Sequence, residues 1–369
     1  MNQLFRWDQM GLFLLALAAG ILPFAVPEVC AAALREGLTL CSGPLLLSLF
    51  PFLVVSRLLI QCPESDLLAL PFRLAAWGIG IRTPCAARVL CIGFLGGFAP
   101  AASAAAQAVR TGQLTAEEAD ALLPACICSG PSFVVLTVGQ SLLGSAELGV
   151  LLFASQITAN YLTAALLNRF AGVRSVKPGS AAPASPAPPQ LDEILADAAI
   201  TYCKLCGFIL FFRLLAAGAG ALLPAGAGIL CAILLEVCSG CDLASRTGRW
   251  GSLLCCAALS VQGLSVLLQV RTICPPEMTL RPLYRARMLH LPLSLALFYL
   301  LLPGGEADVF STLPARVLLM RRVPPDCALL VFAVCCMAAC TLRSGIRQVE
   351  QKQMARNAGG CCINSKTLL

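Results

Sequence analysis

Charge is scarce in this chain and histidine nearly absent. Charged residues make up 12% of 369 positions, against about a quarter in an ordinary soluble domain, and no soluble domain is expected. His290 is the only histidine, so no set of nucleophile, base and orienting group can be assembled and an enzyme is not expected. There is no G-x-x-x-x-G-K-[ST] loop, and ATP drive would need a separate subunit. Strands of alternating polarity, the mark of an outer-membrane barrel, are missing too. No cofactor or metal is expected: Cys238-Ser239-Gly240-Cys241 has redox or metal-site spacing, but no second cysteine pair or histidine cluster accompanies it in sequence. The net charge of +7 calls for no nucleic acid.

Apolar residues fill the space that charge leaves. They are 58% of the chain, mean hydropathy is +0.83, and apolar runs near the ~20 residues that cross a bilayer recur throughout. The fold class is therefore an all-α polytopic membrane protein. The 21 cysteines fall mostly inside spans, as at Cys255-Cys256 and Cys335-Cys336, and read as reduced apolar packing. Residues 10 to 26 follow Arg6 and precede Ala31-Ala32-Ala33; this segment is taken as a first transmembrane helix rather than a cleaved leader.

Lys and Arg set the orientation. Arg169, Arg174 and Lys177, then Arg271, Arg281, Arg285 and Arg287, then Arg343, Arg347, Lys352, Arg356 and Lys366 mark cytoplasmic segments. Both termini are then cytoplasmic in a multi-pass protein of the cell membrane. The acidic loop at 111 to 120, with Glu117, Glu118 and Asp120, and the loop holding Glu306 and Asp308 are expected outside. Arg316, Arg321 and Arg322 run against this pattern.

Four polar interruptions stand inside apolar segments: Gly96-Gly97-Phe98-Ala99-Pro100, Cys128-Ser129-Gly130-Pro131-Ser132, Cys238-Ser239-Gly240-Cys241-Asp242 and Ser260-Val261-Gln262-Gly263. In lipid such breaks survive only where they are buried in protein or line a water-filled cavity, and matched breaks in two halves point to a transporter's solute site. The expected plan is an N-terminal helix and outer loop (1–42), a first repeat (43–170), a flexible cytoplasmic linker (171–192), a second repeat (193–305), an outer loop and final helix (306–342), and a basic cytoplasmic tail (343–369). Residues 63 to 84 would lie along the inner interface. In the first repeat, 85 to 109 would cross with a break and 119 to 144 would dip in and out as a re-entrant hairpin. In the second, 221 to 248 would be broken at Ser239-Gly240 and 250 to 270 would be the hairpin. Ungapped alignment of 52–59 on 208–215 matches at Phe52, Arg57, Leu58 and Leu59, supporting repeats that are inverted in the membrane.

Gly93-Phe94-Leu95-Gly96-Gly97, Glu117-Glu118-Ala119, Ser129-Gly130-Pro131-Ser132-Phe133, Leu234-Leu235-Glu236, Gly263-Leu264-Ser265-Val266 with Leu268-Gln269-Val270, and Tyr284-Arg285-Ala286-Arg287 together resemble the YlbJ-type sporulation integral membrane proteins. These carry the Gate or nucleoside-recognition domain, which is distantly similar to concentrative nucleoside transporters. The resemblance covers about residues 10 to 305. It implies a role in spore maturation and movement of dipicolinate, a small aromatic dicarboxylate, toward the forespore. The chain departs from the family's pattern at Gly96, Phe98, Ile127, Cys128 and Leu267, each time by losing a polar group.

Candidate solute contacts are backbone groups at Gly97, Gly130, Gly240 and Gly263, with side chains of Ser129, Ser132, Ser239, Ser260 and Gln262. The competing reading is that small residues only let helices approach. Glu236, an intramembrane carboxyl, is a candidate proton or cation ligand, or else a neutral group bonded inside the bundle. Asp242 is a candidate that could instead pair with Arg246. Arg57, Arg213 and Lys204 could meet a dicarboxylate or snorkel, and His290 is read as structural. The expected function is a permease for a small polar or anionic solute, with a possible coupling cation or proton and the bilayer as surroundings. The alternative is a non-transporting scaffold that recruits spore-envelope proteins.

Overall fold

The computed structural model describes residues 2–61, 63–172 and 191–302. The linker expected at 171–192 lies largely outside these residues, and the loop, final helix and tail expected from 306 onward lie wholly outside. The described residues are helical with no strand. Four helices are long and apolar enough to cross a membrane, and large apolar side chains such as Phe24, Leu47, Leu74, Phe170 and Leu300 face outward, where only lipid could cover so much apolar surface. The protein is an all-α polytopic membrane protein.

Helix α1 spans Asn2–Ala25. The segment expected to be an outer loop is instead helix α2, Pro27–Ser42, started by a proline in its first turn and followed at Gly43 by helix α3, Pro44–Gln61. Together α2 and α3 run antiparallel to helix α9, Leu191–Leu222. Glu36 pairs with Arg213 at 2.6 Å, Tyr202 donates to the Cys41 carbonyl, and Arg57 pairs with Asp197 at 2.5 Å. An apolar loop could not have used Glu36 this way; the helical register of 27–42 aims it at α9. Residues 63 to 84 contain a short 3-10 turn, Pro63–Asp66, and helix α4, Leu70–Gly78.

The first half continues with helices α5 (Pro84–Gly96), α6 (Phe98–Arg110) and α7 (Ala116–Cys126), a π-helical segment (Ser132–Leu142), and helix α8 (Ala146–Ala171). The second half adds α10 (Ala225–Leu235), α11 (Val237–Ser245), α12 (Gly251–Val261), α13 (Gly263–Ile273) and α14 (Arg281–Leu301) after α9. Local signals place the ends. A capping box of Thr115 and Glu118 starts α7, Ser145 caps α8, and Gly172 ends α8 in the left-handed conformation.

The roles of crossing and hairpin are exchanged relative to the expectation. A Cβ on Gly93 would stand 3.2 Å from the Cβ of Ala101, eight residues on, which in a straight helix would be ~12 Å away. So α5 and α6 fold back on each other. Thr83, just before α5, donates to Glu118 at the start of α7 at 2.5 Å, confirming that the hairpin returns to its own end. Likewise a Cβ on Gly240 would lie 2.9 Å from the Cα of Ile233, so α10 and α11 form the second hairpin. By contrast α7 and the π segment run straight along α8: Asn168 reaches the Ala121 carbonyl, Asn160 the Ile127 carbonyl, and Gly149 packs on Val135 and Gly139. In the second half α12 packs on α14 through Ser260–Ser294 at 2.5 Å and Arg287 on the Ser260 carbonyl, and α13 carries on to the end where Thr272 and Ile273 stand beside Arg110. Sequence could not separate the cases, because hairpin and broken crossing both consist of two short apolar halves.

One consequence concerns the acidic loop at 111–120. Asp120 accepts from the Thr279 amide at 2.8 Å and the Leu280 amide at 3.1 Å, so this loop lies at the same end as the basic segment entering α14, not opposite it. The opposite end holds the close of α9, the start of α10 and the end of α11, where Gly220 meets Gly228 and Leu243. In the direction of travel, α3, the first hairpin, α7 with the π segment, and α8 are each reversed in α9, the second hairpin, α12–α13 and α14. Single cysteines replacing Glu117 and Glu277, in a background without reactive native thiols, are therefore expected to react with an impermeant maleimide from one face of the membrane. Those replacing Glu147 and Arg249 should react only from the other. Labelling of positions 117 and 277 from different faces would overturn the hairpin assignment.

Candidate functional site

Four breaks meet, three of them at the expected interruptions and the fourth at Glu236, just ahead of Cys238–Asp242. At the tip of the first hairpin Gly97 has φ 81° and ψ −164°, a conformation that glycine alone adopts readily, and a Cβ there would stand 2.7 Å from the amide nitrogen of Gly130. Gly130 in turn lies against the Gly96 carbonyl. At the tip of the second hairpin, Gly263 is so close that a Cβ on it would be 2.9 Å from both the Glu236 amide and the Leu235 carbonyl. The two pairs are bridged by Gln262, whose Nε2 donates to Ser129 Oγ at 3.3 Å. Each hairpin tip thus touches the break of the crossing helix in its own half, and the two crossing helices touch each other.

The break in the second hairpin is at Glu236, three residues before the expected Ser239-Gly240. Glu236 is extended (φ −152°, ψ 125°) and caps α11: Oε1 accepts from the Cys238 amide at 2.8 Å, and Oε2 from the Ser239 amide at 2.7 Å and the Ser239 hydroxyl at 2.8 Å. It is 2% exposed. A carboxyl at a helix N-terminus takes up amides that would otherwise be orphaned in lipid. Both its oxygens are engaged in holding the hairpin tip, the bonding that the alternative reading of a carboxyl held inside the bundle calls for.

Not every expected residue joins the site. Gly240 sits inside α11 as the close-approach point to α10, and Ser239 serves the Glu236 cap. Asp242 pairs with Arg246 at 2.8 Å toward the far end and is remote from the breaks in its role. Ser132 is exposed at the start of the π segment. Arg57 and Arg213 are both paired with carboxylates. Ser260 is brought in, donating to the Cys256 carbonyl at 2.6 Å and meeting Ser294.

The largest feature that sequence reasoning missed is a polar seam between α8 and α14. Gln156, Asn160 and Thr163 on α8 face Arg287, His290 and Ser294 on α14, and all are buried. Gln156 Nε2 donates to Ser260 Oγ at 2.9 Å, and His290 Nε2 meets the Gln156 carbonyl at 3.2 Å. Arg287 donates through Nη2 to the Ile127 carbonyl at 2.5 Å and through Nη1 to the Ser260 carbonyl at 3.3 Å. Gln156 Oε1, Asn160 Oδ1, Thr163 Oγ1, Gln262 Oε1, Arg287 Nε and His290 Nδ1 are buried without a partner among the described residues. Such a cluster is costly in an apolar interior unless water or a solute completes it. The helical spacing of these residues was visible in sequence; read one at a time, His290 is merely a lone core histidine and Arg287 an interfacial cation.

A separate cavity of about 180 Å³ opens at the end where α9 begins, lined by Arg57, Arg110, Lys204, Asp197, Thr201 and Thr272. Its basic walls favour anions at that mouth. No family model, curated protein or solved structure matches this chain.

Two glycines separate strain from contact. Gly112 also has positive φ, at 69°, but nothing lies within 4 Å of a Cβ there. Gly112→Ala should lower stability by about 1–2 kcal/mol, the left-handed penalty. Gly97→Ala adds a clash with backbone and should cost ~1–3 kcal/mol more. Thermal unfolding in detergent reads the difference; equal losses would mean that the hairpin tip does not touch Gly130. By the same measurement Glu236→Ala should cost about 2–6 kcal/mol, since it leaves two buried amides unserved at ~1–3 kcal/mol each.

Proposed function

We propose that this protein is a secondary transporter for a small anionic solute, with its solute site where the four breaks converge. The convergence carries the reading. Irregular backbone inside a membrane protein is sustained where it is buried or lines a path, and interruptions contributed equally by two oppositely directed halves are the arrangement used for alternating access. The same order of elements run in the opposite direction supports inverted repeats. Basic residues at the end holding Arg73, Arg82, Arg110, Arg169, Arg271, Arg281 and Arg285 support placing that end in the cytoplasm, which puts the acidic 111–120 loop there as well.

The chemistry supports an anion. The π segment and α13 begin at the breaks without a side-chain cap, Ser129 and Gln262 add polar groups, and the buried guanidinium of Arg287 has no carboxylate partner among the described residues. In the resemblance to YlbJ-type sporulation proteins, the solute is dipicolinate moved toward the forespore across a cell membrane. The residues at the breaks are less polar than that family's pattern, so the contacts offered to a dicarboxylate are mostly backbone amides and Arg287.

The test is spore filling. A Cβ on Gly130 would meet the Gly96 carbonyl at 3.4 Å, so Gly130→Ala should be tolerated, whereas Gly130→Leu and Gln262→Ala should leave membrane levels near normal and reduce spore dipicolinate at least about tenfold, the loss expected when positioning at a binding site fails. Normal filling in both variants, together with failure when 175–189 or the tail from 343 is deleted, would replace the transporter with an envelope scaffold.

A further inference from the structure

We infer that Arg287 is a built-in cation: its guanidinium occupies the joint between two half-helix C-termini at which a broken-helix transporter otherwise binds a coupling cation. Solute binding here then requires neither Na⁺ nor K⁺. This rests on the transporter reading above and adds to it the source of the positive charge.

The geometry is that of an ion site with a tethered occupant. Unwinding a helix at membrane depth frees its last carbonyls, and in broken-helix transporters these carbonyls and half-helix C-terminal ends coordinate the coupling ion. In this protein the α7 end presents the Ile127 carbonyl and the α12 end presents the Ser260 carbonyl, and Arg287 donates to both, at 2.5 and 3.3 Å. Asn160 Nδ2 adds a second donor to the Ile127 carbonyl at 3.2 Å. Gln262 Nε2 takes the Leu259 carbonyl at 2.8 Å. Donors rather than ions therefore fill the carbonyl positions around both breaks.

Charge accounting gives the same answer. Each helix C-terminus carries roughly half a negative charge, which favours a guanidinium placed between two of them, and the helix starts at the same breaks leave the joint positive overall. The other two buried arginines among the described residues have carboxylates beside them: Asp66 Oδ1 at 3.0 Å from Arg88, and Glu36 at 2.6 Å from Arg213. Arg287, 8% exposed, has none among the described residues. Glu236, the carboxylate at the breaks, spends both oxygens on the amides of α11. A dissolved cation entering the same joint would meet a fixed positive charge and carbonyls already in use.

The test reads stability, so it stands apart from spore filling. The purified protein in detergent is melted in choline, sodium and potassium chloride at equal ionic strength. The wild type should melt at the same temperature in all three. Arg287→Ala, which leaves the Ser260 carbonyl unserved and the Ile127 carbonyl with Asn160 alone, should melt lower in choline and recover by about 3 °C or more, saturably, with millimolar guanidinium or with Na⁺. The wild type should show no such response to the same guanidinium. A saturable rise of the wild type with Na⁺ or K⁺ overturns the inference, as does an Arg287→Ala variant blind to guanidinium and to both metal ions. If that variant does not fold, Arg287→Lys keeps the charge without the planar fork; it should melt lower than wild type yet stay insensitive to Na⁺ and K⁺, and sensitivity would count against the inference. Unaltered filling in Gly130→Leu with a cation-blind wild type would remove the transporter and leave Arg287 as a structural cation.

Discussion

A helix interrupted inside a bilayer frees amides and carbonyls that lipid cannot solvate, and the polar residues of this protein stand where those groups are. Glu236 takes the amides at the start of α11, Arg287 and Asn160 take the carbonyl at the end of α7, and Gln262 and Arg287 take carbonyls at the end of α12. The same rule holds at the membrane ends. Asp120 accepts from the Thr279 and Leu280 amides just ahead of α14, Asn168 serves the Ile79 carbonyl that follows α4, and Arg88 reaches the Ile60 carbonyl at the end of α3. Each unserved group would cost several kcal/mol, so a few side chains decide where the backbone can leave its helix.

That constraint explains which parts of the architecture can be read from sequence. Breaks need glycine, proline or small polar residues, and Gly97, Ser129-Gly130 and Gln262-Gly263 announce themselves within apolar runs. The break at Glu236 is less visible because a glutamate is an uncommon cap, and the small residues that follow it, Ser239 and Gly240, draw the eye to a point already inside α11. Whether a broken segment turns back or goes through is set by contacts eight and more residues away, such as Gly93 on Ala101, and these have no signature in the segment itself. The polar seam had a signature, since Gln156, Asn160 and Thr163 keep helical spacing, as do Arg287, His290 and Ser294. It emerges only when two distant helices are considered as facing surfaces.

Arg287 shows how a small error in a helix boundary changes a residue's meaning. Read as part of a basic loop, it marks a membrane face along with Arg281 and Arg285. The structure starts α14 at Arg281, with Pro282 in the first turn, so Arg287 lies nearly two turns inside. Burial of an unpaired cation would be prohibitive in plain hydrocarbon. It is sustained here because two helix ends aim their carbonyls at it, so the cation and the two breaks require one another.

The two hairpins, alike in topology, are held by different means. In the first, α6 is almost entirely alanine where it is buried, from Ala99 through Ala108, and ten residues of α5 are buried with it; its tip needs no side-chain cap because tight packing brings the Gly97 and Gly130 backbones together. In the second, α10 buries only Gly228, Ala232 and Ile233 and turns Leu230 and Leu234 outward. With less protein around it, that hairpin depends more on what happens at its tip: the Glu236 cap and the contact with Gly263. A carboxylate bonded to its own helix terminus rigidifies the tip locally without tying it to the opposite half. Both hairpins belong to one core, which takes Ile233, Val237, Cys241 and Ala244 from the second, but the first buries far more of its length in it.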